Sequence, residues 1–154
     1  MALPGYQTLL ERDIPVRALP GDAGTLRVIA GAYEGTPGPA RTHSPIDVWD
    51  MQITQNHHAR LNIRPGRTLA LVVLDGTVVV NGSRPVGAAE WALLARDGTD
   101  VLIEAHSDAK VLLLSGEPLN EPVVGHGPFV MNTQREIATA IADFNAGRFG
   151  RMPH

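Results

Sequence analysis

From Thr25 to Ser115 short apolar stretches alternate with polar turns at near-regular intervals, and this spacing constrains the fold more than any other feature. The stretches are Thr25–Tyr33, Ile46–Thr54, Ala59–Ile63, Leu69–Leu74, Glu90–Ala95, Asp100–Ala105 and Lys110–Ser115. Gly35-Thr36-Pro37-Gly38-Pro39 and Arg64-Pro65-Gly66 break the pattern between them. Many short strands with turns at even spacing argue a closed or double-sheet β-barrel rather than alternating β/α units. Leu69–Leu74 is almost continuously apolar, which predicts burial on both faces.

The turns carry their own chemistry. Asp75-Gly76 and Asn81-Gly82 predict hairpins, because glycine supplies the positive φ that primed turns require. Ile46–Thr54 and Ala59–Ile63 read as a pair joined across Gln55-Asn56-His57-His58. Residues 1–24, with Pro4-Gly5, Pro15 and Pro20-Gly21, read as an extended arm with short edge strands, and residues 25–154 as the domain itself. The one helix lies near Thr133–Ala146. There Thr133 and Glu136 form the T-x-x-E capping box, Ile137, Ile141 and Phe144 make one apolar stripe, and Gly147 suits the stop.

Composition excludes several functions. The 154 residues suffice for one domain with a substantial core. The net charge of −3, with 13 basic residues spread along the chain, gives no footing for nucleic-acid phosphates. Absence of cysteine removes thiol catalysis, Cys-zinc sites and disulfides. No stretch approaches the roughly 18 apolar residues of a spanning helix, and MALPGYQ lacks the basic start and apolar run of a signal peptide. The expectation is a soluble, cytoplasmic protein that inserts in no membrane.

Generic catalytic patterns fail in turn. Leu114-Ser115-Gly116 lacks the rest of a nucleophile elbow. Asp47 and Asp50 fall on opposite faces of a strand and make no acid/base couple. The glycine-rich 31–38 stretch lacks the Lys-Ser/Thr of a phosphate loop and the helix that should follow it.

Residues 116–150 carry a more specific signal. The string GEPLNEPVV-HGPFVMNT, then EI-x-x-A-x-x-DF, resembles the closing segment of the pirin family. PGYQTLLERDIPVRALPG resembles that family's inter-barrel stretch, TLRVIAGAYEGTPGPARTHSPIDVWDM the start of its second barrel, and LALVVLDGTVVVNG the cupin hairpin. The resemblance spans nearly all of residues 5–150 and matches the second of two barrels. It implies an all-β fold: a single cupin-type double-stranded β-helix, or jelly-roll barrel, with one C-terminal α-helix. In the family the catalytic metal sits in the first barrel, held by a His-x-His pair, a third His and a Glu.

The two cupin motifs can be laid on this chain. Anchored on Gly76, the Glu position falls on Leu69 and the two His positions on Ile63 and Pro65, or on Asn62 and Arg64 with the longer spacer. Anchored on Gly87, the second motif puts Leu93, Ala95 and Gly98 at its Pro, Gly and His positions. Metal ligands are therefore expected nowhere, and neither catalytic nor cofactor-binding residues are assigned. His57-His58 reads as a surface turn, since adjacent residues of an extended chain face opposite ways. His43 reads as a loop anchor, His106 as exposed at a strand end, and His126 as part of a structural corner; His154 is terminal.

The leading reading is a metal-free binding domain for a small molecule or a protein partner, with no catalysis. Its candidate apolar pocket is Trp49, Met51, Leu69, Leu71, Val101 and Ile103, with Val73 beside them. The rival is a quercetin 2,3-dioxygenase of the pirin kind using non-haem iron, with ligands drawn from His43, His57, His58, His106 or another chain. A third, a transcriptional co-regulator, follows from family analogy alone. A homodimer is expected, because a lone second barrel exposes the surface its partner barrel would cover.

Overall fold

Alternation of buried and exposed residues along the strands sorts the chain into two facing sheets. The structure is a computed structural model and describes residues 6–150; Pro4-Gly5 and the last four residues of the tail lie outside them. The strands are β1 (Val16–Leu19), β2 (Gly24–Ala30), β3 (Ala32–Tyr33), β4 (Thr36–Pro37), β5 (Ile46–Ile53), β6 (His58–Asn62) and β7 (Thr68–Asp75). They continue as β8 (Thr77–Val80), β9 (Pro85–Gly87), β10 (Trp91–Leu94), β11 (Asp100–Ala105), β12 (Ala109–Gly116), β13 (Val124–His126) and β14 (Phe129–Met131), before helix α1 (Gln134–Asn145).

One sheet runs β1-β2-β5-β12-β7-β10 and the other β6-β11-β8-β9, every pairing antiparallel. From β5 to β8 and again from β9 to β12, consecutive strands therefore alternate between sheets, as in a jelly roll. Inward residues fuse the sheets into one core: Met51, Leu71, Val73, Val101, Ile103 and Leu113 are wholly buried. β1 and β10 are short edge strands of the larger sheet, and β3 pairs only with β4.

Three local expectations change. Asp75-Gly76 is no hairpin, since β7 pairs with β10 and β12 whereas β8 pairs with β9 and β11. The chain crosses there from one sheet to the other, with Gly76 at φ 78° against the backbone of Asp108. Likewise β5 and β6 belong to different sheets and do not pair. Leu69–Leu74 is buried on one face only: Leu69, Leu71 and Val73 point inward, whereas Leu74 is 52% exposed. Asn81-Gly82 is the hairpin foreseen, with φ of 49° and 65° and a bond from Ser83 N–H to the Val80 carbonyl.

The described chain forms two compact units, Tyr6–Pro118 and the segment from Leu119 onward. In the second, β13 and β14 form a hairpin against which α1 packs. The Thr133 hydroxyl accepts the Glu136 N–H at 3.2 Å, as the capping box requires. Its return arm reaches one residue further back, where Glu136 accepts from the Asn132 N–H. Among the described residues no helix is long and apolar enough to cross a membrane.

Candidate functional site

The register of the larger sheet lays its inward side chains in rows. Met51, Val111 and Val73 are neighbours across β5, β12 and β7, and Trp49, Leu113 and Leu71 form the next row. The following row is Asp47, Ser115, Leu69 and, on β10, Leu94. Because side chains alternate, Asp47 shares the inner face with Trp49 and Met51. The barrel interior thus turns from wholly apolar to half polar within one row.

Beside that row opens a depression of about 150 Å³, lined by Ile63, Arg67, Leu69, Leu94, Gly98 and Asp100, among others. Arg67 is 3% exposed. A guanidinium removed from water needs compensation. Its Nη1 donates to Asp47 Oδ2 at 2.5 Å, and Nη2 lies 3.6 Å from Glu117 Oε1. Asp47 also accepts from the Ala32 N–H. Three buried polar atoms here have no hydrogen-bond partner: Arg67 Nε, Trp49 Nε1 and Ser115 Oγ. Trp49 stacks edge-on against Tyr33 at 5.3 Å. Burial, then the Glu34 charge, pushes the Tyr33 hydroxyl above its ordinary pKa.

The cupin motif positions Ile63, Leu69, Ala95 and Gly98 all line this depression. They converge as the motif spacing requires, yet offer no side-chain donor for a transition metal, so these positions do not fit one. Pro65 and Leu93 lie exposed elsewhere. Of the apolar candidates, Leu69 lines the depression, while Trp49, Met51, Leu71, Val101 and Ile103 are packed into the core. His43, His58, His106 and His126 are exposed and His57 half-buried. His57 Nδ1 lies 3.0 Å from the Gln55 carbonyl, and no three His, Asp or Glu among the described residues converge as a metal site.

Sequence reasoning passed over Arg67 and weighed Ser115 only as a nucleophile. The usable signal was alternation: R-x-L-x-L-x-V from Arg67 and D-x-W-x-M from Asp47 place both charges on the inward face.

The sequence profile described as the Pirin C-terminal cupin domain matches residues 48–150. The chain belongs to the pirin family. It is 53% identical over 148 residues to a Pseudomonas aeruginosa protein named "putative quercetin 2,3-dioxygenase", covering 96% of this chain and 51% of that one. A pirin-like protein of Caulobacter vibrioides is 40% identical, with 97% and 54% covered. The crystal structure of a quercetin 2,3-dioxygenase from Acinetobacter baumannii superimposes with a TM-score of 0.90 at 44% identity, covering 97% of this chain and 52% of that one. This pirin barrel therefore spans about half the length of these relatives, and it shares its all-β cupin fold with the Acinetobacter structure.

Proposed function

We propose that this barrel is a binding domain of the pirin type, without catalysis of its own, that takes a small molecule at the barrel mouth. The observation that supports this reading is the replacement of metal ligands by Ile63, Leu69 and Gly98, around a buried arginine with an unpartnered donor. Any metal chemistry of a two-barrel relative then falls in the half that this chain does not match.

The second reading, quercetin 2,3-dioxygenase activity, is favoured by the names of the Pseudomonas and Acinetobacter relatives. It requires ligands drawn from His43, His57, His58 or His106, or from another chain. One experiment separates the two. Protein purified without chelator is analysed for metal, then reconstituted with ferrous iron and assayed for oxygen uptake with quercetin. The expected result is no stoichiometric metal and no quercetin-dependent uptake. About one iron, nickel, copper or zinc per chain, lost on mutating a barrel histidine, overturns the proposal.

A further inference from the structure

At the end of the larger sheet remote from the barrel mouth, Thr25, Gln52, Lys110 and Asp75 are successive cross-strand neighbours on β2, β5, β12 and β7. With Thr54 and Asp108 they line a depression of about 440 Å³, a volume within the range of small-ligand sites. Leu69 at the mouth and Asp75 here stand on one strand about 20 Å apart, so the two depressions are separate. One row away, Arg27 and Asp50 are also cross-strand neighbours and close to 2.8 Å. Lys110 and Asp75 stand in the same relation, yet among the described residues neither they nor Asp108 belong to an ion pair. Asp75 Oδ1 accepts from the Gly76 N–H and Asp108 Oδ1 from the Gln55 N–H, both at 2.9 Å. The backbone thus fixes each carboxylate through one oxygen and leaves the other for a ligand. Gly76 lies against the Asp108 carbonyl, which brings the two aspartates together.

We infer that this depression binds a zwitterionic α-amino acid with an extended polar side chain. Its ammonium lies between Asp75 and Asp108, and its carboxylate meets Lys110 one strand spacing away, about 4.8 Å. Two further spacings carry the row past Gln52 to Thr25, whose amide and hydroxyl suit a polar side chain. A simple cation is opposed by Lys110, and a simple anion by the two aspartates. The site does not rest on the reading proposed for the mouth.

L-Glutamine is titrated into the ¹⁵N-labelled chain near neutral pH and followed by NMR. The amides of Gly76 and Gln55 report on the carboxylates to which they donate, and the Gln52 side-chain amide reports on the rest of the row. The Gly98 amide, at the mouth, serves as control. The three reporters are expected to shift saturably with one dissociation constant, with Gly98 unmoved. Asp75→Asn, which still accepts from Gly76, and Lys110→Gln alter exposed side chains and leave the core intact. Each is expected to weaken binding about two- to fivefold, the worth of one exposed ion pair. Butylamine and butyrate, each with one of the two charges, and L-leucine, with an apolar side chain, are expected to bind more weakly than glutamine. The inference is overturned if the reporters do not saturate by about 50 mM, a generous limit for so small a ligand. Gly98 shifting in parallel overturns it as non-specific binding. So does a butylamine, butyrate or leucine affinity equal to that of glutamine, or undiminished binding by Lys110→Gln. None of these outcomes touches the metal and oxygen result, so the two readings fall separately.

Discussion

Arg67 is charged, buried and held chiefly by one carboxylate, and this makes the barrel mouth sensitive to single substitutions. Asp47→Ala leaves the guanidinium uncompensated except by half-exposed Glu117, and should destabilise the barrel by about 3–5 kcal/mol. Replacing both partners by apolar residues, Asp47→Leu with Arg67→Met, should restore much of that loss. Urea denaturation of the wild type, Asp47→Leu, Arg67→Met and the double variant checks the coupling; losses that simply add would show that the pair is not coupled. Tyr33 gives a pH signature. Its hydroxyl titrates above 10 in the folded state, whereas the unfolded chain ionises near 10. Between these values the native state holds more protons, so this contribution is complete below pH 10 and is lost as pH rises through the folded value. Stability of Tyr33→Phe should therefore fall less between neutral pH and pH 11 than that of the wild type. Parallel curves would exclude Tyr33 as the source.

Two glycines with similar φ do different work in their elements. Gly76 and Gly82 have φ of 78° and 65°. A Cβ on Gly82 meets nothing within 4 Å, whereas on Gly76 it would lie 2.2 Å from the Asp108 carbonyl. Gly82→Ala should thus cost about 1 kcal/mol from backbone strain, and Gly76→Ala at least about 2 kcal/mol more, as thermal melts would show. Equal losses would mean that the crossing between sheets yields freely. Sequence rules gave both positions the same reading because Asp-Gly and Asn-Gly make the same local turn. Whether the following strand folds back on its neighbour or joins the facing sheet depends on pairings between β8 and β11, which are remote in sequence. The helix was more legible, because its cap and stop are set by residues within one turn.

Across the larger sheet, the outer face is apolar at its centre. Val48, Ala70, Val72 and Leu112 are half-buried there, while Trp91, Leu93 and Leu114 are 60%, 61% and 38% exposed. Contiguous apolar surface of this kind is uncommon on a soluble monomer. A second copy related by a two-fold axis would cover it without leading to a filament. Light scattering at micromolar concentration should give about twice the 16.5 kDa chain mass. Trp91→Glu combined with Leu93→Glu should return it to the single mass. A wild-type mass of 16.5 kDa would refute the dimer.

Sequence alone determined the β-rich class, the strands β2, β5, β6, β7, β10, β11 and β12, the capped helix and the family, but not the β13–β14 hairpin. These follow from alternation, turn residues and literal motifs, all local along the chain. It also placed non-ligating residues at the metal positions, because motif spacing counts along the chain. Tertiary structure decided which strands share a sheet, and that Leu69–Leu74 keeps one face open. It alone brought Arg67, Ser115, Asp47 and Trp49 into one corner. The reason is physical: a strand's pattern says which residues face inward, but only cross-strand register says which inward residues meet.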